Sequence, residues 1–288
     1  MCLRQRFKQL VKRILFRPVV QVPVYVPTLQ CDLLRGRTAL VTGGTSGIGK
    51  AIATAFANAG AQVIITGRNK QRLADVCQEL GDRVRGFSLD LNQVEMFDQW
   101  VSRVGLFDIL VNNAGVVDGS TFGDVKPDEY DRIVDTNLRG TYFFSQAVAK
   151  SWIAHGVKGN ILNMCSTSSL RPADTPYPIS KWGLRSMTIG FAKKLIPHGI
   201  VVNGLAPGLV STERFCLDER LGIDNPGNPS GRLVTETEVA NLAVVLVSGL
   251  SRMVVGDILY VGGGAGVVTF DDINLNSAVE TSKCASGP

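Results

Sequence analysis

Histidine is nearly missing: the 288 residues include only His155 and His198. Neither has a carboxylate or cysteine at metal-ligand spacing, which argues against a zinc site and against a histidine-based catalytic triad. Closely spaced cysteines are missing too. Cys2, Cys31, Cys77, Cys165, Cys216 and Cys284 are scattered with no C-x-x-C pair, so they read as free thiols in a reducing compartment, and the cytoplasm is the expected location. No apolar run reaches the roughly eighteen residues of a spanning helix, and the N-terminal apolar stretches are too broken for a signal peptide. Acidic residues are absent from positions 1–30, whereas six of the chain's 30 basic residues (Arg4, Arg6, Lys8, Lys12, Arg13 and Arg17) lie there. That leaves 24 basic against 25 acidic residues over 31–288, a net of −1, although the whole chain carries +5. The body is neutral, so nucleic acid is excluded as an expected partner: phosphate binding needs a basic face on the folded domain itself.

The basic leader has an amphipathic pattern. At helical period Leu3, Phe7, Leu10, Val11, Ile14 and Leu15 share one face, while Gln5, Arg6, Lys8, Gln9, Lys12 and Arg13 take the other. Pro18 ends the pattern, and with Pro23 and Pro27 it makes residues 19–28 an extended connector. Residues 1–17 are expected to dock on an anionic membrane surface, which makes the chain a peripheral membrane protein. The competing readings are packing on the protein's own surface or a partner subunit, and a cleaved organellar presequence, against which stands the absence of serine from 1–30.

Past Gly36 the chain alternates between short apolar strands and amphipathic helices. Strands are expected at 37–42, 62–66, 84–89, 107–111, 159–163, 200–203 and 257–261, with helices over 49–59, 73–80, 128–155, 180–196 and 236–248. Apolar strands separated by helices mean an α/β fold: a Rossmann-type, doubly wound parallel sheet of about seven strands with helices on both faces. The alternation is continuous, so the expected organisation is a leader and linker over 1–30, one domain over 31–270, and a tail over 271–288 with no clear periodicity.

The first strand-to-helix turn reads Thr42-Gly43-Gly44-Thr45-Ser46-Gly47-Ile48-Gly49. Glycine permits the close backbone approach that a pyrophosphate requires, and the following helix offers free N–H groups at the positive end of its dipole. A glycine cluster can also be a bare tight turn; its place after the first strand and before a helix favours the dinucleotide reading. Tyr177 and Lys181 are four residues apart and share one face if a helix contains both. Proton transfer from a phenol near neutral pH needs about 4 kcal/mol of help, which an ammonium one turn away can contribute.

The spacing T-G-x-x-x-G-x-G, the run Asn112-Asn113-Ala114-Gly115 and the pair Tyr177-x-x-x-Lys181, in that order and each at an expected strand or helix end, resemble the single-domain branch of the short-chain dehydrogenase/reductase family. The resemblance runs from about Gly36 to Gly264 and is to NADP(H)-preferring, 3-oxoacyl-reductase-like members. It implies an oxidoreductase acting between NADP(H) and a carbonyl or secondary alcohol. Tyr177 is then the general acid/base, and Lys181 lowers the cost of its ionisation and contacts the nicotinamide ribose. Ser166 would hydrogen-bond the substrate oxygen, with Ser168 and Ser169 as rivals, and Asn137 would help hold a water for proton relay. By the same resemblance Thr42, Gly43, Thr45, Ser46, Gly47, Ile48 and Gly49 cradle the cofactor, with Asn113, Ala114 and Gly115 beside them. Asp90 would contact the adenine, and Pro207, Gly208 and Thr212 would close over the nicotinamide carboxamide. The family is usually dimeric or tetrameric, so a homo-oligomer is expected.

Two features depart from the pattern. The Ser166–Tyr177 spacing of 11 is short, so the intervening loop is trimmed, and Pro176 and Pro178 flank the tyrosine. Proline is tolerated in a first helical turn, so the helix must start at or near Tyr177 for the pair to align.

Cofactor choice is read at the end of the second strand. NAD-preferring relatives place an acid there for the ribose 2′-hydroxyl. Here Gly67 holds that place and Arg68 follows, which suits a 2′-phosphate. The alternatives are a nucleotide-sugar epimerase or dehydratase, for which the chain has little room, and a non-catalytic NADP(H)-sensing protein, against which the complete Asn137, Ser166, Tyr177 and Lys181 set argues. The substrate pocket is expected to involve 211–230, a glycine-, proline- and asparagine-containing lid with Phe215, Leu217, Leu221 and Ile223 as apolar contacts and Arg214 as a basic one.

Overall fold

Short β-branched and leucine-rich runs form the strands here, and in the computed structural model, which describes residues 32–117, 119–212, 223–225 and 228–266, they pair without exception in parallel. Strands β1 (Thr38–Val41), β2 (Gln62–Gly67), β3 (Val84–Ser88), β4 (Ile109–Asn112), β5 (Asn160–Met164) and β6 (Val201–Pro207) belong to one sheet. Beyond β6, the short strands β7 (Val210–Ser211) and β8 (Val234–Thr235) pair with each other, and β9 (Ile258–Val261) returns to the main sheet. The seven-stranded order is β3-β2-β1-β4-β5-β6-β9. The chain therefore reverses direction across the sheet between β1 and β4, and a crevice opens outside the C-terminal ends of those strands, the standard ligand position in such sheets.

The register explains the continuous hydrophobicity of the strands. Ile64, Leu40, Leu110, Ile161 and Val202 stand side by side in a row across β2, β1, β4, β5 and β6. They face a core containing Phe97, Trp100, Phe144 and Trp152. Their neighbours Ile65, Val41, Val111 and Leu162 face the opposite core with Ile52, Phe56, Val239 and Val244. Both faces are covered across the central strands, which is why their residues in these rows are apolar.

The helices are α1 (Gly47–Asn58), α2 (Lys70–Leu80), α3 (Phe97–Val104), α4 (Pro127–Val134), α5 (Thr141–Ala154), α6 (Pro176–Leu195) and α7 (Glu236–Val247). Five differ from expectation; α2 is one of them, beginning at Lys70, three residues before the expected start. α1 begins at Gly47, two residues early, because the glycine-rich turn is itself the first helical turn. The single helix expected over 128–155 is two helices joined by a π segment, Asp135–Gly140, a widening that often marks a functional site. α3 was not anticipated, although Phe97, Trp100, Val101 and Val104 have helical spacing and are all buried. α6 starts at Pro176, so both prolines flanking Tyr177 fall in its first turn, where the missing N–H is harmless. The strand expected over 159–163 runs to Met164, and Ser166 beyond it caps a 3-10 turn, Thr167–Leu170. β6 runs four residues beyond its expected end, to Pro207.

The start of α7 is held by charge. Thr235 and Glu238 form a capping box, and Glu238 also takes a bidentate bond from Arg232 (2.7 and 2.9 Å). Arg232 holds the Glu238 carboxyl down to about 2, with the Thr235 backbone and side chain adding to the effect. A carboxylate with a depressed folded pKa stabilises above its ordinary range and loses that contribution as pH falls through the folded value. Glu238→Gln is expected to cost about 1–2 kcal/mol at pH 7, a fall in Tm of roughly 3–6 °C. The gap between variant and wild type should close between about pH 5 and pH 2; a gap that ignores pH would show that charge is not the cause.

Candidate active site

The glycine-rich turn between β1 and α1 is clamped to the end of β4. The Thr42 hydroxyl accepts from the backbone N–H groups of Asn113 and Ala114, both at 3.0 Å, and donates to the Val111 carbonyl at 3.3 Å. The Asn113 carboxamide donates to the carbonyls of Thr42 (2.9 Å) and Gly43 (3.2 Å). Gly49 packs directly beneath: a Cβ there would lie 2.3 Å from the Gly43 oxygen and 2.4 Å from Asn113 Nδ2. Gly43 and Gly47 have left-handed φ values of 65° and 54°. Ser46 stands at the N-cap of α1, and its side chain makes no capping bond. No hydroxyl from the cap therefore competes for the first-turn N–H groups of α1. Thr212 reaches the same place, with its Cγ2 3.9 Å from the position a Gly47 Cβ would take.

Two hollows flank this turn. Arg68 and Asp90, from the ends of β2 and β3, line a cavity of about 250 Å³ with Leu89, Gln93 and Trp100. Thr45, Ser46, Gly47 and Thr212 line one end of a groove of about 860 Å³. The Asp90 carboxylate also accepts from the Asn92 N–H at 3.0 Å, which shapes its loop. At the other side of the crevice, Pro207 ends β6 and the Gly208 N–H donates to Val261 at 2.9 Å.

Tyr177 and Lys181 lie on α6 as their spacing requires. The Lys181 ammonium is 5.6 Å from the centre of the Tyr177 ring and donates to the Met164 carbonyl at 2.7 Å. Only 8% of Lys181 is exposed, so that carbonyl matters: a buried ammonium without an acceptor would be expelled or neutralised. Ser166 sits just past β5, its hydroxyl accepting from the Ser168 N–H and donating to the Ser168 hydroxyl, both at 3.1 Å. Ser169 is fully buried and its hydroxyl is spent on the Ser166 carbonyl, which removes it as a rival; Ser168 remains adjacent.

Asn137 lies in the π segment. Its side chain brackets Val116, accepting from the N–H and donating to the carbonyl at 2.8 Å each, and also donates to Ser180 Oγ at 3.2 Å. Ser180 in turn donates to the Tyr177 carbonyl at 2.7 Å. Asn137 thus fastens the Val116 loop to the first turn of α6, and both of its amide protons are used.

Some neighbours of the site escaped sequence reading. Asn112 donates to Ser145 Oγ and Asn163 Oδ1, both at 2.8 Å, and Asn163 donates to Thr188 Oγ1 at 2.9 Å. This buried chain ties β4 and β5 to α5 and α6 behind the crevice. Asparagines inside otherwise apolar strands were the available signal, because a buried carboxamide needs partners. Cys165, next to Ser166, is no nucleophile. Burial pushes its thiol up to about 11 against the opposing pull of Lys181 and Arg185, which keeps it protonated.

Among the described residues, no group of three or more His, Cys, Asp or Glu side chains is placed to hold a metal, and no helix is long and apolar enough to cross a membrane. The leader 1–30, the tail 271–288, and Arg214, Phe215, Leu217 and Leu221 of the expected lid lie outside the described residues.

The crevice fits a dinucleotide on the evidence of its own turn, and the likeness to known proteins agrees. The short chain dehydrogenase family model matches residues 37–216. The chain is 35% identical over 249 residues to gluconate 5-dehydrogenase of Gluconobacter oxydans (80% of this chain, 95% of that protein). It is 32% identical over 239 residues to 3-oxoacyl-(acyl-carrier-protein) reductase of Vibrio harveyi (80% and 98%). Among solved structures, gluconate 5-dehydrogenase of Burkholderia cenocepacia in complex with NADP and tartrate superimposes with a TM-score of 0.75 at 32% identity, covering 84% of this chain and 100% of that one. The Brucella melitensis 3-oxoacyl-(acyl-carrier protein) reductase with bound NAD gives 0.77 at 29%, covering 86% and 99%. This chain belongs to the short-chain dehydrogenase/reductase family, as an oxidoreductase that moves a hydride between a nicotinamide cofactor and a carbonyl or alcohol.

Proposed function

We propose that the enzyme uses NADP(H), with Tyr177 as general acid/base, on a small carbonyl or secondary alcohol. The observation that carries the reading is the buried Lys181 ammonium held 5.6 Å from the centre of the Tyr177 ring and bonded to the Met164 carbonyl, two residues before Ser166. When bound, the nicotinamide supplies or accepts the hydride. Tyr177 gives its phenolic proton to the carbonyl oxygen in reduction and takes it back in oxidation. Ser166 holds that oxygen through its hydroxyl, turning from Ser168 to do so. Lys181 steadies the charge on the phenolic oxygen. Asn137 positions the start of α6 through Ser180 and leaves water contact to its second Oδ1 lone pair or its backbone carbonyl. Thr42, Gly43, Asn113, Ala114 and Gly115 shape the turn; Thr45, Ser46, Gly47, Ile48 and Gly49 present α1's N-terminus to the pyrophosphate. Asp90 borders the adenine, and Pro207, Gly208 and Thr212 border the nicotinamide.

The preference for the phosphorylated cofactor is supported by Gly67 at the end of β2 and by three cations, Arg68, Lys70 and Arg72, in the next five residues. Arg68→Ala is expected to weaken NADPH by about 1.5–3 kcal/mol and leave NADH nearly unchanged. Wild type that favours NADH in kcat/KM would refute it. Oxidation of NADPH with a panel holding keto-sugar acids and 3-oxoacyl thioesters tests the reaction, in view of the relatives' names. The nucleotide-sugar and non-catalytic readings are not favoured, since those relatives are dehydrogenases and reductases.

Exposed apolar side chains on α5 and α6, among them Phe143, Ile153 and Ile189, support assembly of more than one copy. For residues 1–17 the charge division of the sequence supports docking to anionic membranes. Full-length protein should then sediment with anionic vesicles, less so at high salt, while a chain lacking 1–30 stays in the supernatant and active. Equal behaviour of the two chains would end that reading.

A further inference from the structure

Gly67 is not required by its own backbone. Its φ lies outside the left-handed range that favours glycine, so any residue could adopt this strand conformation. What position 67 lacks is room. A Cβ there would lie 3.1 Å from Thr45 Cγ2 and 3.5 Å from Thr45 Oγ1, with Leu73 Cγ behind it at 3.7 Å. Thr45 is held in that place from both directions. The Gly44 N–H donates to the Thr66 carbonyl at 3.1 Å, which fastens the glycine-rich turn to the end of β2, and the Thr42–Asn113 bonds clamp the same turn to β4. A β-branched side chain at such a position has little rotational freedom with which to yield.

We propose that Thr45 is a specificity-determining residue for the cofactor: its side chain occupies the space over the end of β2 that an acidic residue would need, and so keeps that position at glycine. An acid at the strand end is what accepts the ribose 2′-hydroxyl of an unphosphorylated dinucleotide and repels a 2′-phosphate. With Thr45 in place the Cβ of such an acid meets Thr45 Cγ2 at 3.1 Å, so seating it requires Thr45 to give way by a few tenths of an ångström, and Arg68 is left as the charged group at the end of β2. Thr45 and Gly67 therefore form one two-residue device, in which changing either alone does not convert the site. The inference rests on the NADP(H) reading above and deepens it.

The test is a double-mutant cycle read on the cofactor-free protein by Tm and on binding by titration with NADPH and NADH. Gly67→Asp alone is expected to lower Tm and to leave NADH affinity within about threefold of wild type, whereas Thr45→Ala with Gly67→Asp regains the lost Tm and binds NADH about tenfold more tightly than Gly67→Asp does. Three results overturn the proposal: Gly67→Asp alone gains NADH affinity at unchanged Tm, the two single effects on Tm simply add, or the double variant regains Tm without gaining NADH. Should Gly67→Asp fail to fold, Gly67→Ala with and without Thr45→Ala decides the matter on Tm coupling. A wild-type preference for NADH would sink the underlying cofactor reading instead, and the Tm cycle would still judge the Thr45–Gly67 contact.

Discussion

Tyr177→Phe is expected to lower kcat about a thousandfold while NADPH binding stays within about threefold of wild type. The substitution deletes one oxygen and keeps the ring against which the Lys181 ammonium lies. Lys181 keeps its acceptor, because its hydrogen bond goes to the Met164 carbonyl and not to the tyrosine. The helix should be undisturbed too, since Ser180 and Asn137 secure its first turn through the backbone of residue 177. The loss is therefore one of proton transfer, and kcat and kcat/KM should fall together. A variant that keeps most of its turnover would remove Tyr177 from the reaction. One that loses NADPH binding in proportion would make it a cofactor-binding residue only.

Gly49→Ala is expected to be nearly as damaging by a different route. The added methyl would sit 2.3 Å from the Gly43 carbonyl oxygen and 2.4 Å from Asn113 Nδ2, and neither is the loose end of a flexible chain. The Gly43 oxygen belongs to the turn itself, and Asn113 is spent on the carbonyls of Thr42 and Gly43. Relief requires α1 to move away from β4, which breaks the clamp and displaces the first-turn N–H groups of α1. A loss of about 3 kcal/mol in stability follows from overpacking. A roughly hundredfold weakening of dinucleotide binding follows from the misplaced helix terminus. A variant with wild-type Tm and unchanged NADPH affinity would show that the turn can yield, and the account of the clamp would be wrong.

What could be read beforehand was local chemistry. Tyr177 and Lys181 were legible because four residues on a helix place two side chains on one face, whatever the rest of the chain does. The glycine-rich turn was legible because its spacing expresses a backbone requirement within eight residues. The alternation of strand and helix gave the layered sheet for the same reason: residues apolar on both faces, such as those of β1 and β4, can be buried only between two layers of helices. The break in the helix over 128–155 was not legible. Asp135–Gly140 has no proline and only a terminal glycine, and its widening goes with the bracket that Asn137 makes around Val116, 21 residues earlier. α3 is a different case, since Phe97, Trp100, Val101 and Val104 carried a usable signal.

The sequence by itself thus determined the layered parallel sheet, the family and the shared helical face of Tyr177 and Lys181, since each depends on spacings within a few residues or on the rhythm of burial. Only the tertiary structure decided how those parts are held. The Met164 carbonyl accepts from Lys181 across 17 positions, and Asn113 locks a turn 70 positions before it. The side chain of Thr45 occupies the space over Gly67 at the end of the neighbouring strand. Backbone carbonyls carry no residue identity, and contact between distant segments depends on strand order and register. The physical reason is the same in each case: a hydrogen bond or a steric exclusion is a matter of ångströms, and those distances exist only once β1, β2, β4 and β5 lie side by side.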